Sequence, residues 1–510
     1  TIELEELHYK LNEVIVSIPT GKLQRQHITN VESRKMKELS YIPSTNIIQQ
    51  VANIPGVDIT GNGAGISKPT IRGLSGSRIV TLLNGLRLEN QQWGADHGSG
   101  VTALGIKGVE VIKGPASLLY GSDALGGILY FTDIDYTNAT EGFVKSSFES
   151  NSIGINNQIG VSLSKNKLRA NIMASQSSQA DYQIPTDKYI KNARYKDLNF
   201  KTALGYQHKS YNLNVRYNYL SARVGIPGHS HNSNATLSDY LTTQQGRSKT
   251  IPAQVIENHY LLLDNKFYLT NSSLSIKIGQ VSNHLREFDE KITLPAINML
   301  LNTSNYNIQW NKKMNKATLI IGGQGMVQQN KNEAASEQII PNALTVENGI
   351  FGLFTKDINN WSFQSGLRYD NKSLRLQQNF KGNENGTSTN YNSLNYSIGL
   401  STSKNNHLFR MNASSGFRAP NSSELYSNGI HHGALRYEIG SNNLVSEQAN
   451  QIDLSWEISK EHLAIVINPY FNQISNYIYI SPLDSIIDET RVYKYNQANN
   501  AFLFGGEVGI

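Results

Sequence analysis

The feature that most constrains this chain is a polar–apolar alternation recurring in pieces of about ten residues from residue ~140 onward. A membrane-crossing helix needs ~20 consecutive apolar residues, and no stretch here approaches that. Helical membrane proteins are therefore excluded, while a membrane β-barrel is not, because its strands alternate and its average hydropathy stays low. Composition agrees. Hydrophobic residues are 38% of 510, against ~45–50% in ordinary globular chains. Aromatics reach 9%, with 26 Tyr and 41 Gly, which excludes the disordered class. Cysteine is absent, so disulfide scaffolds, thiolate metal sites and cysteine nucleophiles are excluded together. Net charge is only +6, with no basic block of the kind that binds nucleic acid.

The alternation predicts strands at 142–150, 157–165, 168–176, 197–207 and 211–224. Further strands are expected at 272–281, 306–311, 317–327, 361–369, 397–403, 407–415, 452–459, 462–473 and 501–510. Short polar turns alternate with long polar stretches near 177–196, 222–255, 286–303, 328–347, 372–393, 416–448 and 480–498. Short turns at one end and long loops at the other are the asymmetry of outer-membrane barrels. A soluble sandwich does not need it, and no fixed-period repeat points to a propeller. About sixteen strands are visible, and the sequence stops mid-strand at Ile510, so an incomplete barrel is expected.

Residues 21–135 read differently. Ser44 is a plausible N-cap for a helix carrying Ile47, Ile48 and Val51 on one face, ended by Pro55-Gly56. Ile79–Leu83 is a strand, and Asn84-Gly85 is a hairpin turn. Val109–Ile112 and 126–131 are strands flanking a turn and short helix at 114–121. This small domain is α+β.

Its motifs are Ile71-Arg-Gly, Arg78, Leu82-Leu-Asn-Gly and Val109-Glu-Val-Ile-Lys-Gly-Pro-Ala-Ser-Leu-Leu-Tyr-Gly-Ser-Asp-Ala-Leu-Gly-Gly. Together with Gly416-Phe-Arg-Ala-Pro-Asn-Ser-Ser-Glu-Leu-Tyr they resemble TonB-dependent outer-membrane receptors. The resemblance covers essentially the whole chain. Asn84 stands where that family usually has Asp, and Ile128-Leu-Tyr replaces its usual sequence. The resemblance implies a 22-stranded transmembrane β-barrel with an α+β plug in its lumen. The organisation it implies is an N-terminal segment at 1–20, a plug at 21–135 and a barrel at 136–510, with six strands beyond Ile510. It also implies a monomer in the outer membrane of a Gram-negative bacterium, among outer-membrane lipid and lipopolysaccharide.

A plug in a polar lumen needs polar contacts that can let go. Arg72 and Lys113 are expected to meet the barrel carboxylates Glu424 and Glu447 in one latch. The segment Leu11–Ser17 resembles the TonB box, with Glu13, Val14, Ile15 and Val16 at its centre. Such a β-branched run can add a strand to the sheet edge of the periplasmic partner TonB, which couples the plug to the inner-membrane energising complex.

Histidine placement carries the cargo reading. Six of the 12 His fall in regions expected at the extracellular mouth: His97, His229, His231, His284, His431 and His432. Imidazole and carboxylate suit Zn²⁺, and with no Cys and only 6 Met a soft Cu(I) site is disfavoured. Asp96-His97, Gly228-His-Ser-His231 and Glu424–Gly433 followed by Tyr437–Glu447 resemble the zinc-receptor branch of the family, ZnuD and its relatives. That resemblance implies Asp96 and His97 as plug ligands, His431 or His432 from the barrel, and Glu287 or Glu290 as the carboxylate. His229, His231 and His284 would be outer capture groups.

The expected activity is energised import of zinc ion as a transported ligand, with no catalytic cofactor. Affinity would fall as His protonates below about pH 6.5. Ser, His and Asp are plentiful, but no nucleophile elbow or zincin helix appears, so the chain is not read as an enzyme. The alternatives are uptake of haem, a ferric siderophore or another metal complex, and a non-transporting adhesin or passive pore.

Overall fold

The computed structural model describes residues 15–17, 27–39, 46–63, 65–89, 97–98, 100–227, 236–431, 436–460 and 462–510. Sixteen long strands form the barrel wall, from Glu141–Glu149 to Thr490–Gly509, each antiparallel to the next. Their inward and outward faces alternate with the two-residue period of a strand. In Trp361–Leu376, Gln364, Arg368 and Asp370 turn inward and are buried, while Leu367 points outward and is 61% exposed. Leu394, Ile398 and Ile278 are likewise exposed on the outer face, where lipid replaces water as solvent. At the short-turn end His407, Phe409 and Trp456 stack on the outside with rings nearly parallel, part of an interfacial aromatic girdle.

Two strands were not named from sequence, Ala253–Leu269 and Ala343–Ile358. In both, the inner face is apolar where the plug touches it. Tyr260 and Leu262 join the plug core around Val51, Ile71 and Phe131. Phe351 and Leu353 pack with Leu118, Ile128 and Tyr130. Alternation fades where the lumen is filled. The stretch expected as a loop at 480–498 is instead an extended hairpin, Leu463–Ile487 with Thr490–Gly509, turning at Asp488 and Glu489, both in left-handed backbone. The expected loop at 286–303 shrinks to the connection between Ser272–Phe288 and Ile297–Met314.

The plug is built on a five-stranded sheet in the order Val31–Lys35, Ile106–Lys113, Gly127–Asp133, Ile79–Leu83, Leu86–Arg87. The turn between the last two carries φ values of 51° at Asn84 and 86° at Gly85, the left-handed pair that suits a two-residue hairpin. Asn84 also locks the turn: its Nδ2 donates to Asp133 Oδ2 at 2.8 Å and its Oδ1 accepts from Asp133 N at 3.0 Å. The helix Ile47–Val51 is capped by Asn46, whose side chain accepts from Ile48 N. Ser44, the expected cap, lies outside the described residues.

The plug and barrel motifs touch each other. Asp123 N donates to Phe417 O at 2.9 Å. A Cβ on Gly416 would come within 2.7 Å of Ser117 Oγ, so glycine permits this close approach.

Candidate metal centre between plug and barrel

Three buried side chains from three separate elements converge at the long-loop end. His97 lies in the plug segment between Asn84 and Val109 and is 2% exposed. His431 ends the short strand Asn428–His431, which pairs with Arg436–Ile439 inside the loop after Arg418. Glu287 sits one residue before the end of Ser272–Phe288, on its inward face. His97 Nε2 is 3.4 Å from His431 Nε2 and 3.7 Å from Glu287 Oε2. In a tetrahedral shell with metal–nitrogen bonds of ~2.0–2.1 Å, donor atoms lie roughly 3.3 Å apart. The His97–His431 separation is close to that spacing, and the His97–Glu287 separation is a few tenths of an ångström longer. Among the described residues, no group of three or more His, Cys, Asp or Glu is placed so that it could by itself hold a metal ion.

The surroundings fix the donors. His431 Nδ1 is 2.9 Å from Glu438 Oε1. Arg436 Nε donates to the same carboxylate at 2.7 Å, and Tyr495 OH donates to its other oxygen at 3.2 Å. A carboxylate on Nδ1 sets the imidazole tautomer, with the proton on Nδ1 and the lone pair on Nε2. Burial pushes the Glu438 carboxyl up, but His431 and then Arg436 outweigh it and bring it down to about 2. Gln254 Nε2 donates to Glu287 Oε2 at 3.3 Å, while Glu287 Oε1 is buried with no hydrogen-bond partner among the described residues.

Of the other expected ligands, Asp96, His229, His231 and His432 lie outside the described residues. Glu290 is exposed beyond the strand end. His284 faces the outer side of the wall, three residues from Glu287 and on the opposite face, with Nε2 2.8 Å from Asn298 Oδ1 and Nδ1 3.9 Å from Glu257. The two-residue period separates them. Sequence reasoning missed Glu438 and Arg436 as supports, because a hairpin of four-residue strands leaves almost no periodic signal.

The expected single latch is two latches at different depths. Arg72 pairs with Asp453 at 2.7 Å and Glu507 at 3.0 Å, and Lys113 pairs with Glu507 at 2.6 Å and Glu32 at 3.1 Å. Glu447 instead takes Arg78 and Arg418, each at 2.5 Å, and Glu424 takes Arg418 at 2.7 Å. The reason is height. Glu447 opens its strand at the long-loop end, and Asp453, six residues on, lies roughly 20 Å further along it. A further cluster joins plug Asp123 to wall Lys372 at 3.0 Å and to plug Arg87, with Ser122 Oγ donating to wall Glu347 at 2.6 Å.

Of the expected box, Glu13 and Val14 lie outside the described residues. Ile15 is buried in the plug core and Val16 is 51% exposed. Glu110 accepts from Val16 N at 2.8 Å and Ser17 N at 2.7 Å, and Tyr120 OH donates to Ser17 O. The segment is thus held against the plug by a carboxylate.

A barrel filled by a strand-and-helix plug, with ion pairs between them and long loops at one mouth, defines a plugged outer-membrane transporter. Residues 24–128 match the TonB-dependent receptor plug domain, and residues 129–510 match the TonB-dependent receptor-like β-barrel. The chain belongs to the TonB-dependent receptor family: it is an outer-membrane transporter that works with TonB, and not an enzyme. Among solved structures, it is similar to the copper transporter OprC, at 15% identity and TM-score 0.76, covering 94% of this chain and 77% of that one. It is also similar to the Serratia marcescens hemophore receptor HasR, at 12% identity and TM-score 0.76, covering 95% and 79%. The FrpB iron transporter of Neisseria meningitidis matches at 13% identity and TM-score 0.75, covering 94% and 77%.

Proposed function

We propose that the protein imports zinc as a bare ion, bound between His97 of the plug and His431 and Glu287 of the barrel, as in the ZnuD branch that its motifs resemble. The observation that carries this reading is that His97 of the plug lies 3.4 Å from the His431 imidazole and 3.7 Å from the Glu287 carboxylate of the barrel. Asp96 and His432, each adjacent in sequence to one of these, supply the remaining donors. His229 and His231 serve as outer captors. Because the plug contributes His97, pulling the plug breaks the coordination shell and frees the ion inward. TonB supplies the pull.

A second reading has an observation of its own. The donors are nitrogen and oxygen, and Cu²⁺ binds such sets more tightly than Zn²⁺ on intrinsic affinity; the structural neighbour OprC is a copper transporter. Haem and siderophore uptake, suggested by other neighbours, is less well served by donors that are only 1–4% exposed.

Uptake into vesicles holding the full-length protein and its energising partner tests the proposal. Zinc should accumulate only when the partner is energised, and His97→Ala should abolish accumulation. Haem or divalent copper accumulating in place of zinc would contradict it.

A further inference from the structure

We propose that the outer wall carries a binding site for the phosphate groups of a membrane lipid headgroup, in a cavity beneath residues 247–250. The cavity holds ≈ 320 Å³ at the long-loop end of the strands Leu168–Gln179, Tyr195–Gln207, Tyr211–Gly225 and Ala253–Leu269. It lies on the outer face. Ser178, Lys196, Leu198, Ser221, Arg223 and Val255 line it from the outward positions of their strands, and the inward Gln179, Asp197, Ala222 and Ala253 also border it. The loop is fastened over it: Arg223 Nη2 donates to Thr250 O at 2.9 Å, and Arg247 Nη1 donates to Ser178 Oγ at 2.8 Å.

The charge there is one-sided. Lys196, Arg223, Arg247 and Lys249 surround the cavity, and among the described residues none of the four makes an ion pair. Arg194 beside them is already neutralised by Asp181. The single carboxylate on the lining, Asp197, is buried and accepts from Tyr195 OH and Ser177 N. A cleft with one sign of charge and low-dielectric walls concentrates its field on an anion. Immediately below, Leu198, Phe200 and Leu204 point outward on one strand, at 52%, 38% and 54% exposure. A phosphorylated headgroup in the cavity therefore has a ready track for its acyl chains. A free anion would use the cations and leave that track unused.

The test uses the full-length protein in phosphatidylcholine vesicles containing lipid A, with retained lipid counted by native mass spectrometry after gentle extraction. Wild type should retain lipid A, should not retain dephosphorylated lipid A, and should keep its lipid against inorganic phosphate in large excess. Arg223→Gln with Lys249→Gln should lower the affinity roughly thirty-fold. Lys266→Gln with Lys312→Gln, the same loss of two charges at the other end of the wall, should leave it unchanged. Equal retention of dephosphorylated lipid A, displacement by inorganic phosphate, or full retention by the folded double variant would each overturn the proposal. The first two arms use wild type, so they decide even if the variant does not fold.

Discussion

At the scale of single residues, register decides chemistry. Glu287 and Glu290 were equivalent candidates in the sequence, because nothing there fixes which one faces the lumen. The strand settles it, with Glu287 at 1% exposure and Glu290 outside. His97 was legible as a candidate because its motif is contiguous, whereas the contact of Glu438 with His431 depends on a hairpin fold-back that no local pattern announces. If the proposed centre binds zinc, Glu438→Ala should lower its affinity by roughly 10–100-fold while leaving His97, His431 and Glu287 unaltered; calorimetric titration checks this, and an unchanged affinity would show that His431 needs no such support. Asp123 offers a pH test away from the metal centre. Burial pushes its carboxyl up, but Lys372 and then Arg87 outweigh that and hold it at about 2, with Glu89 and Glu347 the other acids facing it. An acid lowered on folding contributes stability above its unfolded value of about 3.9 and loses it as pH falls toward 2. The melting temperature of the plug should fall as pH drops across that window, and Asp123→Asn should flatten the dependence.

At the scale of elements, the strands that escaped sequence reading are those whose inner faces meet the plug. Binary patterning assumes that water fills the lumen, and Tyr260, Leu262, Phe351 and Leu353 break the pattern because protein fills it instead. Leu262→Ala should cost about 2–5 kcal/mol and should loosen plug and wall together, measurable as faster hydrogen exchange in both Ile79–Leu83 and Ala253–Leu269. The N-terminal segment is a second element-scale device. Glu110 bonds two consecutive backbone amides, and Tyr120 holds the following carbonyl. Glu110→Ala should free residues 15–17, so that a spin label at Val16 becomes mobile without cargo. A label that stays immobile would place the hold elsewhere, in the packing of Ile15.

At the scale of the whole molecule, plug and wall meet through ion pairs at separate depths and through apolar contacts between them. The sequence indicated that cations and carboxylates would meet, but not their pairing, because partners such as Arg72 and Glu507 stand 435 residues apart. Glu507 takes both Arg72 and Lys113 in a partly buried network, so Glu507→Gln should lower the force at which a pull on the N-terminus extracts the plug. The same architecture makes the proposed metal centre a joint of two bodies, one of them movable. X-ray absorption at the zinc edge of the loaded protein tests that claim most directly. Wild type should show a nitrogen–oxygen shell with at least two imidazoles at ~2.0–2.1 Å, and His97→Ala should lose one imidazole while keeping the other. A shell unchanged by His97→Ala would mean that the plug does not hold the ion, and would contradict the account.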